Sequence, residues 1–167
     1  MGILTLDEFV KRRTGDREPL LDLYWYCDDL PFGGEKDYVE TVNLPFPSLN
    51  MKPLFMGSQF EQYPGFLEIS AFDVTFYEDV RVRARKWVMG WQARIRDPVT
   101  RTYFLPSSYK RDMTFCLTDG TSLDKPIFTV TLKNCWPTMS NAMDLSNNGG
   151  QPLKLQQNFA CDGVEWK

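Results

Sequence analysis

The segment Asn43–Phe66, NLPFPSLNMKPLFMGSQFEQYPGF, sets the tightest limit on what this chain can fold into. Leu44, Phe46, Leu49, Met51, Leu54, Phe55, Met56, Phe60, Tyr63 and Phe66 give it the apolar content of a core element. Pro45, Pro47, Pro53 and Pro64 nevertheless exclude an uninterrupted helix or central strand. Read as a long loop, the segment needs cover, because such side chains spread over water form a patch of the size that marks an interaction surface. One outcome is folding back onto the chain's own core. The other is an extended flap buried against another copy, with main-chain pairing supplied by the neighbour.

The remaining sequence is that of a globular chain. Its 167 residues suit one domain, and 43% hydrophobic with 25% charged residues argue against disorder. The net charge of -3 gives no global reason to expect nucleic-acid binding. No apolar run approaches the roughly 20 residues of a membrane span, and MGILTLDEF lacks the pattern of a signal peptide, so folding in a cytoplasm is expected. Cys27, Cys116, Cys135 and Cys161 are scattered without a CxxC pair and read as buried free thiols. The absence of histidine removes a Ser/His/Asp triad, a Cys/His pair and the common zinc sites. Asp73, Glu78 and Asp79 are the remaining candidates for metal or acid–base chemistry, but Asp79 is better explained as a helix cap with Glu78 favoured by the helix dipole. No catalytic residue, metal site or cofactor site is assigned.

The coarse pattern is mainly β. Residues 1–19 read as an N-terminal arm or short helix, opened by the capping box Thr5-Leu-Asp-Glu8. Leu20–Cys27 reads as a strand, closed by the Pro31-Phe-Gly-Gly34 turn, with Asp37–Leu44 as its hairpin partner. Leu67–Phe76 is strand-like but changes phase, which a bulge near Ser70-Ala71 would reconcile. One long helix is expected over 79–97, its apolar face carrying Val80, Ala84, Trp87, Val88, Trp91 and Ile95. Met113, Phe115 and Leu117, then Phe128, Val130 and Leu132 around Asp119-Gly120, predict a hairpin with one buried face. Leu153, Leu155 and Phe159 mark a final strand. The sum is an antiparallel β-sandwich or open barrel with one long helix packed on a sheet or at one end.

Two polar surfaces stand out. Arg81, Arg85, Lys86, Arg94 and Arg96 make one helix side basic, which suits plain solvation, an acidic protein partner or phosphates. Thr129, Thr131 and Lys133, with Lys154, Gln156 and Asn158, are uniformly polar strand faces, as if one sheet faced water along its length.

Leu132-Lys-Asn-Cys-Trp-Pro-Thr138, then Met143-Asp-Leu145, Asn147-Asn148, Phe159 and Trp166, with Trp91-Gln92 in the helix, resemble the tail tube proteins of contractile bacteriophage tails. The likeness covers nearly the whole chain, and Trp136-Pro137-Thr138 is its most specific part. Asn134 stands where the family commonly has glycine; it is the residue best able to replace glycine at positive φ. The Gln156-Gln157-Asn158 run is also more polar than the family leads one to expect.

The resemblance implies a non-enzymatic building block forming hexameric rings that stack into the inner tube of a contractile tail. DNA and the tape-measure protein would pass through the lumen, the DNA without specific binding. Segment 43–66 would then be an inter-subunit loop, with Phe46, Leu49, Met51, Leu54, Phe55, Met56, Phe60 and Tyr63 at the contact. Arg81, Arg85 and Lys86 would face the sheath protein, and the polar triplets on Thr129–Lys133 and Lys154–Asn158 would face the lumen. Other expected partners are baseplate and tail-terminator proteins, with no membrane. The expected location is the virion, after assembly in the host cytoplasm. A baseplate tube initiator is the alternative within the class; a small β-domain binding nucleic acid through the basic helix is the alternative outside it.

Overall fold

The computed structural model describes residues 25–28, 30, 39–118, 125–143, 150 and 152–167. The N-terminal capping box, the Pro31–Gly34 and Asp119-Gly120 turns, and residues 144–149 with the Asn147-Asn148 part of the resemblance lie outside them. The strands are β1 (Trp25–Cys27), β2 (Val39–Val42), β3 (Ser48–Met56), β4 (Gln59–Glu68), β5 (Phe72–Tyr77), β6 (Arg111–Leu117), β7 (Phe128–Ser140), β8 (Lys154–Ala160) and β9 (Gly163–Trp166). Helix α1 is Arg83–Ala93, and α2 is the single turn Pro106–Tyr109.

Seven strands form one antiparallel sheet in the order β1-β6-β7-β8-β5-β2, with β9 also on β7; β3 and β4 form a separate two-stranded sheet. The β6–β7 hairpin is as expected, running from Leu117↔Phe128 to Arg111↔Cys135. Three expectations are corrected. Strands β1 and β2 are not hairpin partners: β1 pairs with β6 and β2 with β5, at opposite ends of the sheet. Alternation decides which side chains are buried, but many neighbours can satisfy the same pattern. The phase change near Ser70-Ala71 is a boundary between strands of different sheets, not a bulge. The strand carrying Leu155 and Phe159 is followed by another, β9.

Strand β7 is long because it serves both arms of the folded sheet. Its first part pairs with β6 and with β9, from Val130↔Trp166 to Lys133↔Gly163; its last part pairs with β8 from Trp136↔Ala160. Trp136-Pro137-Thr138 lies within the strand. Asn134 makes the break, at φ 55, the conformation its side chain tolerates best after glycine. Its N–H donates to Asp112 Oδ1 at 3.0 Å, and Lys133 Nζ reaches Asp112 Oδ2 at 2.9 Å. That N–H first, then the lysine, holds the Asp112 carboxyl below its ordinary range. Inward positions change phase across the break, from Val130 and Leu132 to Cys135 and Pro137. Asn134→Gly should change stability by less than about 0.5 kcal/mol, whereas Asn134→Val should cost about 1–2 kcal/mol, since a β-branched residue has no relief at positive φ. Urea midpoints of the two variants check this.

The two arms enclose one core. Phe72 of β5 meets Phe115 of β6 edge-on at 6.4 Å and stacks on Phe159 of β8 at 5.4 Å. Fully buried Phe76, Val130, Leu132 and Leu155 surround them, and α1 supplies Ala84, Val88 and Trp91. Each large side chain contributes about 1.5–3 kcal/mol by leaving water. Trp91 also donates its indole N–H to the Tyr109 carbonyl at 2.5 Å, tying α1 to α2. Cys27, Cys116 and Cys135 are buried free thiols, and Cys161 is a half-buried one.

Helix α1 is shorter than the expected 79–97. Val82 at its N-cap has φ 53, so residues 79–82 form a turn and Val80 is fully exposed instead of lying on the apolar face. Asp79 still caps, from farther back: its Oδ1 accepts the N–H of Arg81 and of Arg83, both at 3.1 Å. Glu78 Oε1 accepts the N–H of Arg85 at 3.1 Å. At the other end Ile95 leaves the helix to accept from the Phe104 N–H, and Arg96 bridges Tyr103. Asp97 Oδ1 closes the tight turn by accepting the N–H of Val99 and Thr100.

Candidate interaction surfaces

Residues 48–68 are not an extended loop. They form a β-hairpin, β3–β4, with Phe55↔Phe60 and Met56↔Gln59 flanking the Gly57-Ser58 turn. Gly57 alone has positive φ there (62°), the arrangement of a two-residue Gly-X hairpin turn. The prolines fit because the sheet has only two strands. Pro53 and Pro64 lie on edges where a missing N–H leaves no ladder partner stranded. Near the base the register shifts between Leu49 and Met51, and Gly65 permits it: a Cβ there would sit 2.8 Å from the Asn50 carbonyl oxygen.

Pairing sorts the side chains into two unlike faces. Leu49, Met51, Pro53 and Phe55 alternate along β3 and face Leu67, Pro64, Gln62 and Phe60 of β4, so Gln62 is the one polar residue of this face. Phe55 is 72% and Met51 69% exposed, so this face is uncovered within the chain. The other face mixes Leu54, Met56 and Tyr63 with polar groups: Asn50 donates to Glu68 at 3.0 Å, and the Tyr63 hydroxyl to Glu61 at 2.6 Å. Phe46 is exposed just before β3.

The polar triplets do not form one wall. Thr131 lies between Thr114 and Glu165 in the β6-β7-β9 arm, and Lys133 reaches Asp112 and Glu165. Gln156 pairs with Thr75, and Asn158 with Asp73, in the β5-β8 arm, where Lys154 joins Glu40. The break at Asn134 separates the two, since β8 meets β7 only beyond it. The intervening Gln157 is fully buried; its Nε2 donates to the Met139 carbonyl at 3.1 Å and its Oε1 accepts from Ser140.

On α1, Arg81 and Lys86 reach the surface and Arg85 turns inward. Its Nε lies 3.7 Å from Glu78 Oε1, with the Glu78 side chain 1% exposed. Burial, the largest influence, pushes the Glu78 carboxyl above its ordinary range, against the pull of the Arg85 N–H and guanidinium. A carboxyl whose folded pKa is raised binds its proton more tightly when folded. Its contribution to stability therefore falls as pH rises from about 4.5 through the folded value, and is constant above it. Glu78→Gln should flatten that part of the stability–pH curve, measured by urea unfolding between acid and neutral pH. Asp73 pairs along the strand with Asn158, away from Glu78, and among the described residues no group of His, Cys, Asp or Glu converges to hold a metal.

The same fold is present in chains of solved contractile injection systems. A chain in the cryo-EM structure of the PVC extracellular contractile injection system, sheath/tube terminator in the extended state, has it with TM-score 0.66 and 16% identity, covering 92% of this chain and 99% of that one. A chain of the PVC sheath-tube complex gives 0.64 and 14%, covering 95% and 96%. A chain of the anti-feeding prophage baseplate gives 0.61 and 12%, covering 89% and 95%. At these identities the likeness is one of fold. No family model and no curated protein matches the chain.

Proposed function

We propose that this chain is a ring-forming structural subunit of the tube of a contractile injection apparatus, and that β3–β4 docks on a neighbouring subunit. The observation that carries this reading is the uncovered apolar hairpin face from Leu49 to Leu67 on a body that is otherwise well packed. Such a face is stable in water only when another chain covers it. The fold shared with chains of sheath-tube, terminator and baseplate assemblies supports the same reading. Hexameric rings, a polar bore that passes DNA and the tape-measure protein, contacts with sheath and baseplate proteins, and residence in the assembled particle belong to this proposal. The β2-β5-β8 arm is the better candidate for the bore, because Thr41, Thr75 and Gln156 form a polar row across it. A second reading, the initiator ring at the baseplate, is favoured by Gln156 and Asn158, which give the outer face of that arm a polar surface while Gln157 between them is buried.

Negative-stain microscopy of the purified chain tests the proposal. Rings with a central hole are expected; long tubes would mark the main tube subunit, and isolated rings or short stacks the initiator. Dispersed single globules at high concentration would overturn both.

A further inference from the structure

Gly90 is the anomaly of helix α1. It lies inside the helix, is exposed, and a Cβ added there would meet no atom within 4 Å. Glycine in a helix interior is costly relative to alanine, and nothing among the described residues requires it. Two grooves flank it, one of about 600 Å³ toward the Asp97 turn and one of about 170 Å³ toward Arg111. Gly90 is the one residue lining both. Without a side chain it raises no barrier between the two grooves, which together are the trough.

The trough is strongly cationic. Lys86, Arg94, Arg96, Arg101 and Arg111 line it, all exposed, in a chain whose net charge is -3. None of the five makes an ion pair among the described residues. The one carboxylate present, Asp97, already accepts the N–H of Val99 and Thr100. The floor is apolar on the larger side, with Met89, Ala93 and Pro98. Cations around an apolar floor, with room for a main chain to approach the helix closely, suit an acidic peptide carrying an apolar side chain better than a nucleic-acid backbone.

We infer that this trough is a docking seat for an acidic segment of another protein, which crosses α1 at Gly90. Its chemistry does not depend on ring formation; the ring reading says only which neighbour brings the segment. The basic helix side carrying Lys86, Arg94 and Arg96 is thus extended by Arg101 and Arg111 from outside the helix.

The test uses the full chain and a short fluorescent peptide of Glu and Asp around one Leu, followed by anisotropy at low salt. Gly90→Gln is expected to raise the melting temperature by about 2–4 °C, through better helix propensity, and to weaken peptide binding at least tenfold. Arg96→Glu with Arg101→Glu should abolish binding of the acidic peptide and create binding of its Lys counterpart. A stabilised Gly90→Gln protein that binds the acidic peptide as tightly as wild type would overturn the inference. So would no peptide binding by the wild type, or tighter binding of a single-stranded oligonucleotide lost in the same variants. Microscopy of the same variants reads ring formation separately.

Discussion

Phe55→Ser with Phe60→Ser should turn rings into monomers without unfolding the subunit. The two rings pack on each other at 5.4 Å near the hairpin tip, and neither belongs to the core cluster of the described residues, so that core does not depend on them. Exposed in one subunit, they become valuable only when a neighbour covers them. Covering each contributes about 1.5–3 kcal/mol, so losing both weakens every contact by roughly a hundred- to ten-thousand-fold. Gel filtration and negative-stain microscopy measure assembly, while the melting temperature should move little, as for most exposed substitutions. Wild-type rings from the double variant would end the claim that this face holds subunits together.

Phe159→Ala should have the opposite signature, losing the fold first. Phe159 is fully buried, stacked on Phe72 and packed against Trp91 at 5.7 Å and Trp87 at 6.4 Å. It joins β8, β5 and α1, so collapse of its cavity would require both sheet and helix to move. A cost of about 3–5 kcal/mol is expected, a large share of the roughly 5–15 kcal/mol that holds a domain folded. Phe159→Leu keeps most of the volume and should cost markedly less. Urea unfolding of the two variants measures the difference; equal midpoints would mean that the site relaxes freely.

Much of this architecture was legible because one-sided burial imprints on the sequence. Met113, Phe115, Val130 and Leu132 alternate, and the hairpin they predicted is present. Ala84, Val88 and Trp91 repeat at helical spacing, and α1 buries those three. The positive φ at Asn134 was implied by the resemblance to a family that commonly has glycine there, and asparagine tolerates that conformation best after glycine. Strand partners were not legible, since β1 and β2 carry nothing that names β6 and β5. The hairpin was missed for a different reason. Leu49, Met51, Pro53 and Phe55 alternate as a strand should, but the prolines were given the weight they have inside a large sheet, and a two-stranded ribbon has only edges. The helix start was missed because Asp79 caps from four residues before Arg83. The basic trough needed the fold, since Arg101 and Arg111 come from outside the helix.

The break at Asn134 also limits how this chain can vary in length. Strand β7 keeps step with the β8–β9 segment across it, from Lys133↔Gly163 to Trp136↔Ala160, three residues on each side, whereas against β6 it carries one extra residue between Met113↔Leu132 and Arg111↔Cys135. Losing one residue from either strand would exchange inside for outside along an entire arm. A matched loss from the other strand would restore the pairing. Along the β8–β9 side, insertions and deletions at this crossing are therefore tolerated only as coordinated pairs.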